Sequence, residues 1–380
     1  MVEAHGRNGC GGIELAKALS KPRGRGSPRA AGTRAPASRG SSPDRGPEAG
    51  PTITPTRLER YLRRFSSGNV LVLGDLMLDR YIWGATTRLS PEAPVPVLHV
   101  ERESLQPGGA ANVYNNILSL GGRALLCGVI GADDAGQALS GALRLHKHHR
   151  PGILVDPTRP TTQKTRVVAH RQHVVRYDIE QCHDVPHTCT RSMVRYIETH
   201  LPSLSCIVVS DYCKGVITSS LMARLAPLAR THRVPVLVDP KVAHVPYYQG
   251  VTIITPNHLE AEQAAGRTAR DDASIHDIGH HLRTQLGCDA VLVTRGEQGI
   301  SLCETTGQSW HIRARAREVY DVTGAGDTLV GTLALAISAG ASIRESAMIA
   351  NHAAGVAVGM LGTAAITVMQ LREAMRRDRH

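Results

Sequence analysis

From about Leu58 onward the chain alternates between short continuous apolar runs and longer stretches of helical period. The runs are Val70-Leu-Val-Leu73, Ala124 to Ile130, Cys206 to Val209, Val234 to Val238, Val251 to Ile254 and Ala290 to Val293. Between them, Ala110–Leu120, Ala135–Leu145, Thr190–His200, Ser219–Arg230 and Ile275–Leu286 repeat apolar residues every three to four positions. Continuous apolar strands separated by amphipathic helices predict a mostly parallel sheet covered by helices on both faces, an α/β fold. Two segments break the rhythm. Val95 to Val100 and Thr162 to Tyr177 alternate apolar with polar residues, as half-exposed antiparallel strands do. They predict a small β lid, with strands from about 80–100 and 162–178. The stretch from Asp327 to Arg376 reads as three closing helices.

Residues 1–56 carry no such pattern. Gly, Pro, Arg, Ser and Ala dominate, which predicts a disordered basic tail ahead of a single domain over 57–380. The tail has no continuous apolar core of the kind a secretory signal needs. Its Arg-rich character is compatible with an organellar transit peptide, but an overlong translated start fits better. It holds nine Lys/Arg against four Asp/Glu, so it supplies 5 of the net charge of +11. The remaining basic residues are scattered and form no stripe. With no zinc-finger, basic-zipper or RNA-binding signature present, nucleic acid is not an expected partner. No uncharged apolar run reaches the length of a bilayer span, Thr328 to Gly340 being the longest, so no membrane role is expected. Aromatic residues are 3% of the chain, so Val, Leu, Ile and Ala must build the core. The eight cysteines show no paired spacing and mostly sit in apolar surroundings, which suits a reducing, cytoplasmic setting.

Four polar elements carry the candidate chemistry. Asp321-Val-Thr-Gly-Ala-Gly-Asp327 precedes an apolar helix. Gly324, Ala325 and Gly326 at a helix start can aim backbone N–H groups at an anion. Asp327 in the first turn can accept a proton from an attacking hydroxyl. An ordinary glycine turn with a capping Asp has the same appearance. Gly108-Gly109-Ala-Ala-Asn112 opens another helix, where the glycines permit close approach of a ligand and Asn112 can bond sugar hydroxyls. Asp75 and Asp79 follow the first strand, at the sheet end where ligands bind in such folds. Asn257 and Glu260 follow a later strand, one helical turn apart, and suit a hydrated Mg²⁺.

In combination, order and spacing, these elements resemble the ribokinase-like (PfkB) sugar kinase family from about Asn69 to Ala374. Leu73-Gly-Asp75-Leu-Met-Leu-Asp79-Arg80-Tyr81, Leu89-Ser-Pro-Glu92-Ala-Pro-Val-Pro-Val97 and Ser210-Asp211-Tyr212-Cys-Lys214-Gly215 resemble its heptose 7-phosphate kinase branch, of lipopolysaccharide inner-core biosynthesis. The resemblance implies ATP and Mg²⁺ as cofactors, and Asp327 as the base. It implies Gly324, Ala325 and Gly326 as the anion hole. Asn257 and Glu260 would organise the metal through water. Thr294, Gly296 and Gly299 would form the nucleotide turn, with Thr323 and Asn351 nearby. Asp75, Asp79, Gly108, Gly109 and Asn112 match the sugar-binding positions.

A substrate already carrying a phosphate requires cations. Lys164, Arg166, Arg176, Arg88, Lys214 and Lys241 are the candidates, each equally readable as a solvated surface charge. Asp211 and Asp239 lie at strand ends as polar wall or caps, Asp239 reading more as a cap. The expected reaction is ATP-dependent phosphorylation of D-glycero-β-D-manno-heptose 7-phosphate at its anomeric hydroxyl, in ADP-heptose biosynthesis. Another sugar or sugar phosphate is the alternative, and a non-catalytic sensor a more distant one. Related bifunctional heptose enzymes add a nucleotidyltransferase after the kinase; with none in this sequence, a stand-alone kinase is expected. The exposed lid edges predict a homodimer. Three histidine or cysteine clusters, Cys182-His183 with His187 and Cys189, His276 with His280-His281, and His146-Lys-His148-His149, match no usual metal spacing.

Overall fold

The computed structural model describes residues 53–143, 152–170, 172–315, 319–360, 362–363 and 365–377. Most of the expected tail and the His146–His149 cluster lie outside them. The first described helix, α1 (Pro55–Arg64), starts within the segment expected to be tail, with Thr54 as its N-cap and Ile53 already buried. Leu58, Tyr61 and Leu62 anchor its inner face.

The strands of the main sheet are β1 (Asn69–Gly74), β4 (Arg123–Ile130), β5 (Ile153–Val155), β8 (Cys206–Ser210), β9 (Val236–Asp239), β10 (Ile253–Ile254), β11 (Ala290–Thr294), β12 (Ile300–Glu304) and β13 (Ser309–Ile312). Their order is β13-β12-β11-β10-β9-β8-β1-β4-β5. All neighbours are parallel from β11 to β5; β12 and β13 add an antiparallel edge. The six expected apolar strands are all present, shortened or extended by a few residues. The antiparallel pair β12–β13 is additional to them.

Successive residues of β1 point to opposite cores. Val70 and Val72 face one cluster with α2 (Ala110–Ser119), α8 (Ala325–Ser338), α9 (Ile343–Ala357) and α10 (Val368–Arg377). Leu71 and Leu73 face a second with α4 (His187–His200), α5 (Ser219–Thr231), α6 (His258–Ala265) and α7 (Asp272–Leu286). Burial on both faces explains why these strands read as unbroken apolar runs. Between β4 and β5 lies α3 (Asp134–Ala142), capped by Asp133.

A second sheet runs β3-β2-β6-β7, from β2 (Leu76–Leu89), β3 (Pro96–Gly109), β6 (Thr162–Ala169) and β7 (Gln172–Ile179). It occupies the expected lid positions, with one difference: its central pair, β2 and β6, is parallel, while the outer pairs are antiparallel. β2 leaves the main sheet directly after β1, so the lid grows from the same sheet end that carries the polar elements.

Candidate active site

Because β1, β8, β9, β10 and β11 are parallel, their C-terminal ends open on one side. Gly74-Asp75, Ser210-Asp211, Asp239, Thr255 and Thr294 all fall there. The N-termini of α2 and α8 meet at the same place from the other direction. Gly109 caps α2 with φ +57°, where a Cβ would stand 2.6 Å from the Asp75 carbonyl. Gly324 caps α8 with φ +78°, and a Cβ there would sit 2.8 Å from Asn112 Nδ2. Glycine at 324 lets the start of α8 approach Asn112 on α2, and glycine at 109 lets the start of α2 pack on Asp75 and Met77.

Asp327, in the first turn of α8, is 4% exposed. Asn112 Nδ2 donates to its Oδ2 at 2.7 Å, and the Tyr212 hydroxyl donates to its Oδ1 at 2.9 Å. Asn112 is held in turn by Asn116, whose Nδ2 donates to the Asn112 carbonyl and Oδ1, while Asn116 Oδ1 accepts from the Thr328 hydroxyl. Burial pushes the Asp327 carboxyl up to about 6, and the nearby Asp79 adds to this; the bonds from Asn112 and Tyr212 and the Lys241 charge work against it. A carboxylate tuned to that range is ionised at neutral pH yet basic enough to take a proton. Gly326 and Asp327 occupy the first turn, whose amides have no acceptor within the helix; the Ala325 amide reaches back to the Val322 carbonyl at 3.3 Å.

Asp79 faces the same cleft. Its Oδ1 accepts from Arg166 Nη1 at 2.7 Å, and a Cβ on Gly108 would stand 2.6 Å from Oδ2, so the glycine keeps that oxygen uncovered. Asp75 differs. Its Oδ2 accepts the Tyr212 and Lys214 amides at 2.8 and 3.1 Å, and its Oδ1 the Val216 amide at 3.1 Å. Burial and the neighbouring Asp211 push Asp75 up to about 6, against those three bonds. Asp75, expected at the sugar, has a carboxylate that organises the loop after β8. Asn112 donates one Nδ2 hydrogen to Asp327 and accepts one bond from Asn116, which leaves a second donor and a second lone pair on its side-chain amide. Asp211, expected in the substrate wall, is fully buried, accepting from Tyr248, His244 and the Cys213 amide.

The expected phosphate cations are already paired. Lys164 reaches Asp178 at 3.1 Å and Glu180 at 3.5 Å, Lys214 reaches Glu180 at 2.7 Å, and Arg176 reaches Asp178 at 3.2 Å. Lys164, Lys214 and Glu180 form one partly buried cluster between lid and main body, with Arg166 beside it on β6. Arg176 is the exception, being largely exposed. Arg88, near the end of β2, is exposed and has no part in this cluster.

At the other end of the cleft, Asn257 caps α6 in a reciprocal box: its Oδ1 accepts the Glu260 amide at 2.9 Å, and Glu260 Oε2 accepts the Asn257 amide at 3.0 Å. Glu260 Oε1 is 2.5 Å from Lys241 Nζ, and that ammonium lies over the Tyr212 ring, 5.6 Å from its centroid. With these oxygens so engaged, the pair can organise a metal only through its water shell. Asp239 is the better direct ligand. Its carboxylate has no hydrogen-bond partner among the described residues, and burial, then the charge of Asp327, pushes it up to about 8 despite Lys241. A hard, oxygen-seeking cation fits a donor set of Asp239 backed by Glu260 and Asn257. The motif reading favoured a cap for Asp239; in the structure Lys241, not Asp239, stands at the N-cap of the following turn.

Thr294 ends β11 beside Asn257, to which it is bridged, and Gly296 and Gly299 bound the following turn with φ +56° and +90°. Thr323 donates its amide to Asp321 Oδ1, which fixes the loop leading into Gly324. Asn351 is buried on α9, where its Nδ2 donates to the Arg313 carbonyl at 2.7 Å. It holds a chain segment and contacts none of the residues around Asp327. Tyr212 lay inside the quoted Ser210–Gly215 motif without an assigned role, and Asn116 and Thr328 had no marker of their own in the sequence. Among the described residues, the Cys182–Cys189 and His276–His281 clusters gather no metal-ligand set.

Residues 67–368 match the pfkB family carbohydrate kinase. The chain is 44% identical over 303 residues to the "Bifunctional protein HldE" of Geobacter sulfurreducens, covering 80% of this chain and 62% of that protein. It is 43% identical over 312 residues to the protein of the same name from Proteus mirabilis, covering 82% and 65%. It thus spans less than two thirds of these relatives. Among solved structures, Arabidopsis thaliana ribokinase complexed with ribose and ATP superposes with a TM-score of 0.62 at 17% identity, covering 81% of this chain and 98% of that one. Escherichia coli phosphofructokinase-2 in complex with fructose-6-phosphate gives 0.64 at 18%, covering 82% and 99%. The fold is ribokinase-like, and the chain belongs to the pfkB family of carbohydrate kinases.

Proposed function

We propose that the chain transfers the γ-phosphate of ATP to the anomeric hydroxyl of D-glycero-β-D-manno-heptose 7-phosphate, giving the 1,7-bisphosphate for ADP-heptose and lipopolysaccharide core synthesis. The observation that carries this reading is Asp327: a buried carboxylate, held by two donors, at the positive end of a helix and beside a second carboxylate, Asp79, that faces the cleft.

In this reading the sugar hydroxyl attacks the γ-phosphorus while Asp327 takes its proton; the new O–P bond forms as the bond to the ADP oxygen breaks. Amides of Gly326 and Asp327 face the charge on the migrating group. Mg²⁺, held by Asp239 and, through water, by Asn257 and Glu260, would neutralise charge on the nucleotide phosphates. Asp79, fixed by Arg166, accepts from the sugar. Lys164, Lys214 and Arg166 form the wall for the 7-phosphate, exchanging carboxylate partners for phosphate oxygens. The likeness of Leu89-Ser-Pro-Glu92-Ala-Pro-Val-Pro-Val97 and Ser210-Asp211-Tyr212-Cys-Lys214-Gly215 to the heptose 7-phosphate kinase branch favours this substrate over hexose phosphates. The test is ADP release by the purified protein over a panel of sugars and sugar phosphates. Heptose 7-phosphate should give the highest kcat/KM; preference for an unphosphorylated sugar would remove the cationic wall from its role.

We place the protein in the cytoplasm, where ATP and sugar phosphates occur. No described helix is long and apolar enough to cross a membrane, and all seven described cysteines are free. We also propose a homodimer through the lid. Its edge strand β7 exposes Val175, Tyr177 and Ile179, and β3 exposes Val100 and Leu105; unpaired edges with apolar side chains favour a second sheet against them.

A further inference from the structure

One cation expected on the sugar's own phosphate stands apart from the others. Lys241 follows β9, at the N-cap of a short turn (242–247). Its amide donates to the Tyr248 hydroxyl at 3.2 Å, and that hydroxyl donates to the buried Asp211 carboxylate at 2.6 Å, so the root of the side chain is fixed. Its ammonium takes no part in the Lys164–Lys214–Glu180 cluster and bonds Glu260, near the cap of α6, instead. The same ammonium lies over the Tyr212 ring, a cation–π contact, and the Tyr212 hydroxyl donates to Asp327 Oδ1. Glu260, Lys241, Tyr212 and Asp327 therefore form one line of contacts from the α6 cap to the base.

We propose that Lys241 is a catalytic cation of the phosphoryl transfer: its ammonium exchanges Glu260 for the oxygens of the migrating phosphoryl group. The inference rests on Asp327 as the base of that transfer, and not on which sugar accepts. Position supports it first. Burial raises both Asp327 and Asp239, and the Lys241 charge opposes that rise in each, so the ammonium lies within electrostatic reach of both carboxylates. In the proposed reaction the phosphoryl group passes between these two, from the nucleotide side to the hydroxyl beside Asp327.

Availability supports it next. An ammonium has three donors, and among the described residues Glu260 is its one hydrogen-bond partner. The side chain is 36% exposed, so its head can move while its root stays fixed. Charge completes the case. Burial works against the ammonium, but the bond to Glu260 and the charges of Glu260, Asp239 and Asp211 outweigh it and hold Lys241 above its ordinary value. Lys241 therefore enters as a cation and exchanges no proton. The hydroxyl proton goes to Asp327, the new O–P bond forms, and the bond to the ADP oxygen breaks. Charge in such a transfer spreads over the three equatorial oxygens of the phosphoryl group. The amides of Gly326 and Asp327 offer partial charges there, and Lys241 adds a full one.

The test compares Lys241→Met and Lys241→Arg with wild type in the full-length chain, using the best acceptor of the sugar panel. Lys241→Met should lower kcat by about 100-fold or more, and Lys241→Arg, which keeps the charge, should recover at least about a tenth of the wild-type rate. Binding gives a second readout. Lys241→Met should weaken ADP with aluminium fluoride, a mimic of the migrating group, by about tenfold or more, while ADP alone and the acceptor change less than about threefold. A Lys241→Met enzyme within about threefold of wild-type kcat would overturn the inference. So would equal losses for ADP and for ADP with aluminium fluoride, the mark of a structural ion pair. A defect confined to acceptor binding would overturn it too, by making Lys241 a clamp for the sugar's own phosphate. Asp327→Asn separates the failures: normal turnover in Lys241→Met beside a dead Asp327→Asn removes Lys241 alone, whereas turnover in both removes the base as well.

Discussion

Replacing Asp327 by Asn should damage turnover and stabilise the fold at once. The wild-type carboxyl is raised from 3.8 to about 6, chiefly by burial. A shift of about 2 units corresponds to roughly 3 kcal/mol at about 1.4 kcal/mol per unit. Its sign follows from linkage. Between the unfolded value near 3.8 and the folded value near 6, the native state holds a proton that the unfolded chain has lost, so stability falls as pH rises through that window. Above it the penalty is complete, and below about pH 4 it is absent. Asparagine carries no charge to desolvate. Its Oδ1 can accept from Asn112, and its Nδ2 can donate to the Tyr212 hydroxyl, which turns to accept. Asp327→Asn should therefore unfold in urea about 1–3 kcal/mol later than wild type at pH 7, with the gap closing at pH 4. Its kcat should fall roughly 10²–10⁴-fold, the usual contribution of a positioned base, while ATP still binds. In wild type, kcat/KM should rise with pH through about 6, since the base must be ionised. Near-normal turnover, or a variant less stable than wild type at pH 7, would refute the reasoning.

Tyr212→Phe removes one of the two bonds that hold Asp327 ionised. A bond to a charged group is worth about 1.5–3 kcal/mol, so the acid limb of kcat/KM should move up by about 1–2 units, with the fold intact by circular dichroism. Gly324→Ala forces an alanine into φ +78° with its Cβ near Asn112; it should cost about 1–3 kcal/mol in thermal or urea unfolding and lower kcat by disturbing Asn112. Asp239→Asn should raise the Mg²⁺ concentration needed for half-maximal rate about tenfold or more, and should stabilise the metal-free fold at pH 9, above the raised value near 8. Val175→Lys with Tyr177→Lys, both exposed on β7, should leave each subunit folded and give the monomer mass in light scattering at micromolar concentration.

Much of this architecture was legible because burial on both faces writes itself into the chain. Val70 to Leu73 and Cys206 to Val209 are apolar at every position, which in a chain punctuated by amphipathic helices has one common explanation. The β12–β13 hairpin escaped because Ser301 and Cys303 interrupt its apolar pattern and its outer strand is half exposed. The lid was visible through alternation, but its parallel centre was not: β2 and β6 pair residues 85 positions apart, as in Met77 opposite Thr162, and no local pattern records such a pairing. Asp327 was legible because glycine, helix start and carboxylate are neighbours in sequence. Its positioning residues were not. Asn112 lies 215 positions away and Tyr212 lies 115, so their roles exist only after folding.

A harder question is which polar groups a folded protein leaves for its ligand. Asp75 and Asp79 look alike in the sequence, and both lie at the favoured sheet end. Three backbone amides complete Asp75, so it stabilises a loop; Asp79 keeps one oxygen facing the cleft. Asn257 and Glu260 have the one-turn spacing of a metal site, yet the same spacing makes a capping box, and the box is what forms. Of the cations expected on a phosphate, Lys164, Arg176 and Lys214 pair with Asp178 and Glu180, on β7 or just past its end. Residue type and spacing name the candidates, but availability depends on hydrogen-bond partners that come from distant strands. By that criterion Asp239, which carried the least promise as a motif, becomes a leading ligand candidate. Burial raises the free energy of its charge, no protein donor relieves it among the described residues, and a cation delivered with the nucleotide would.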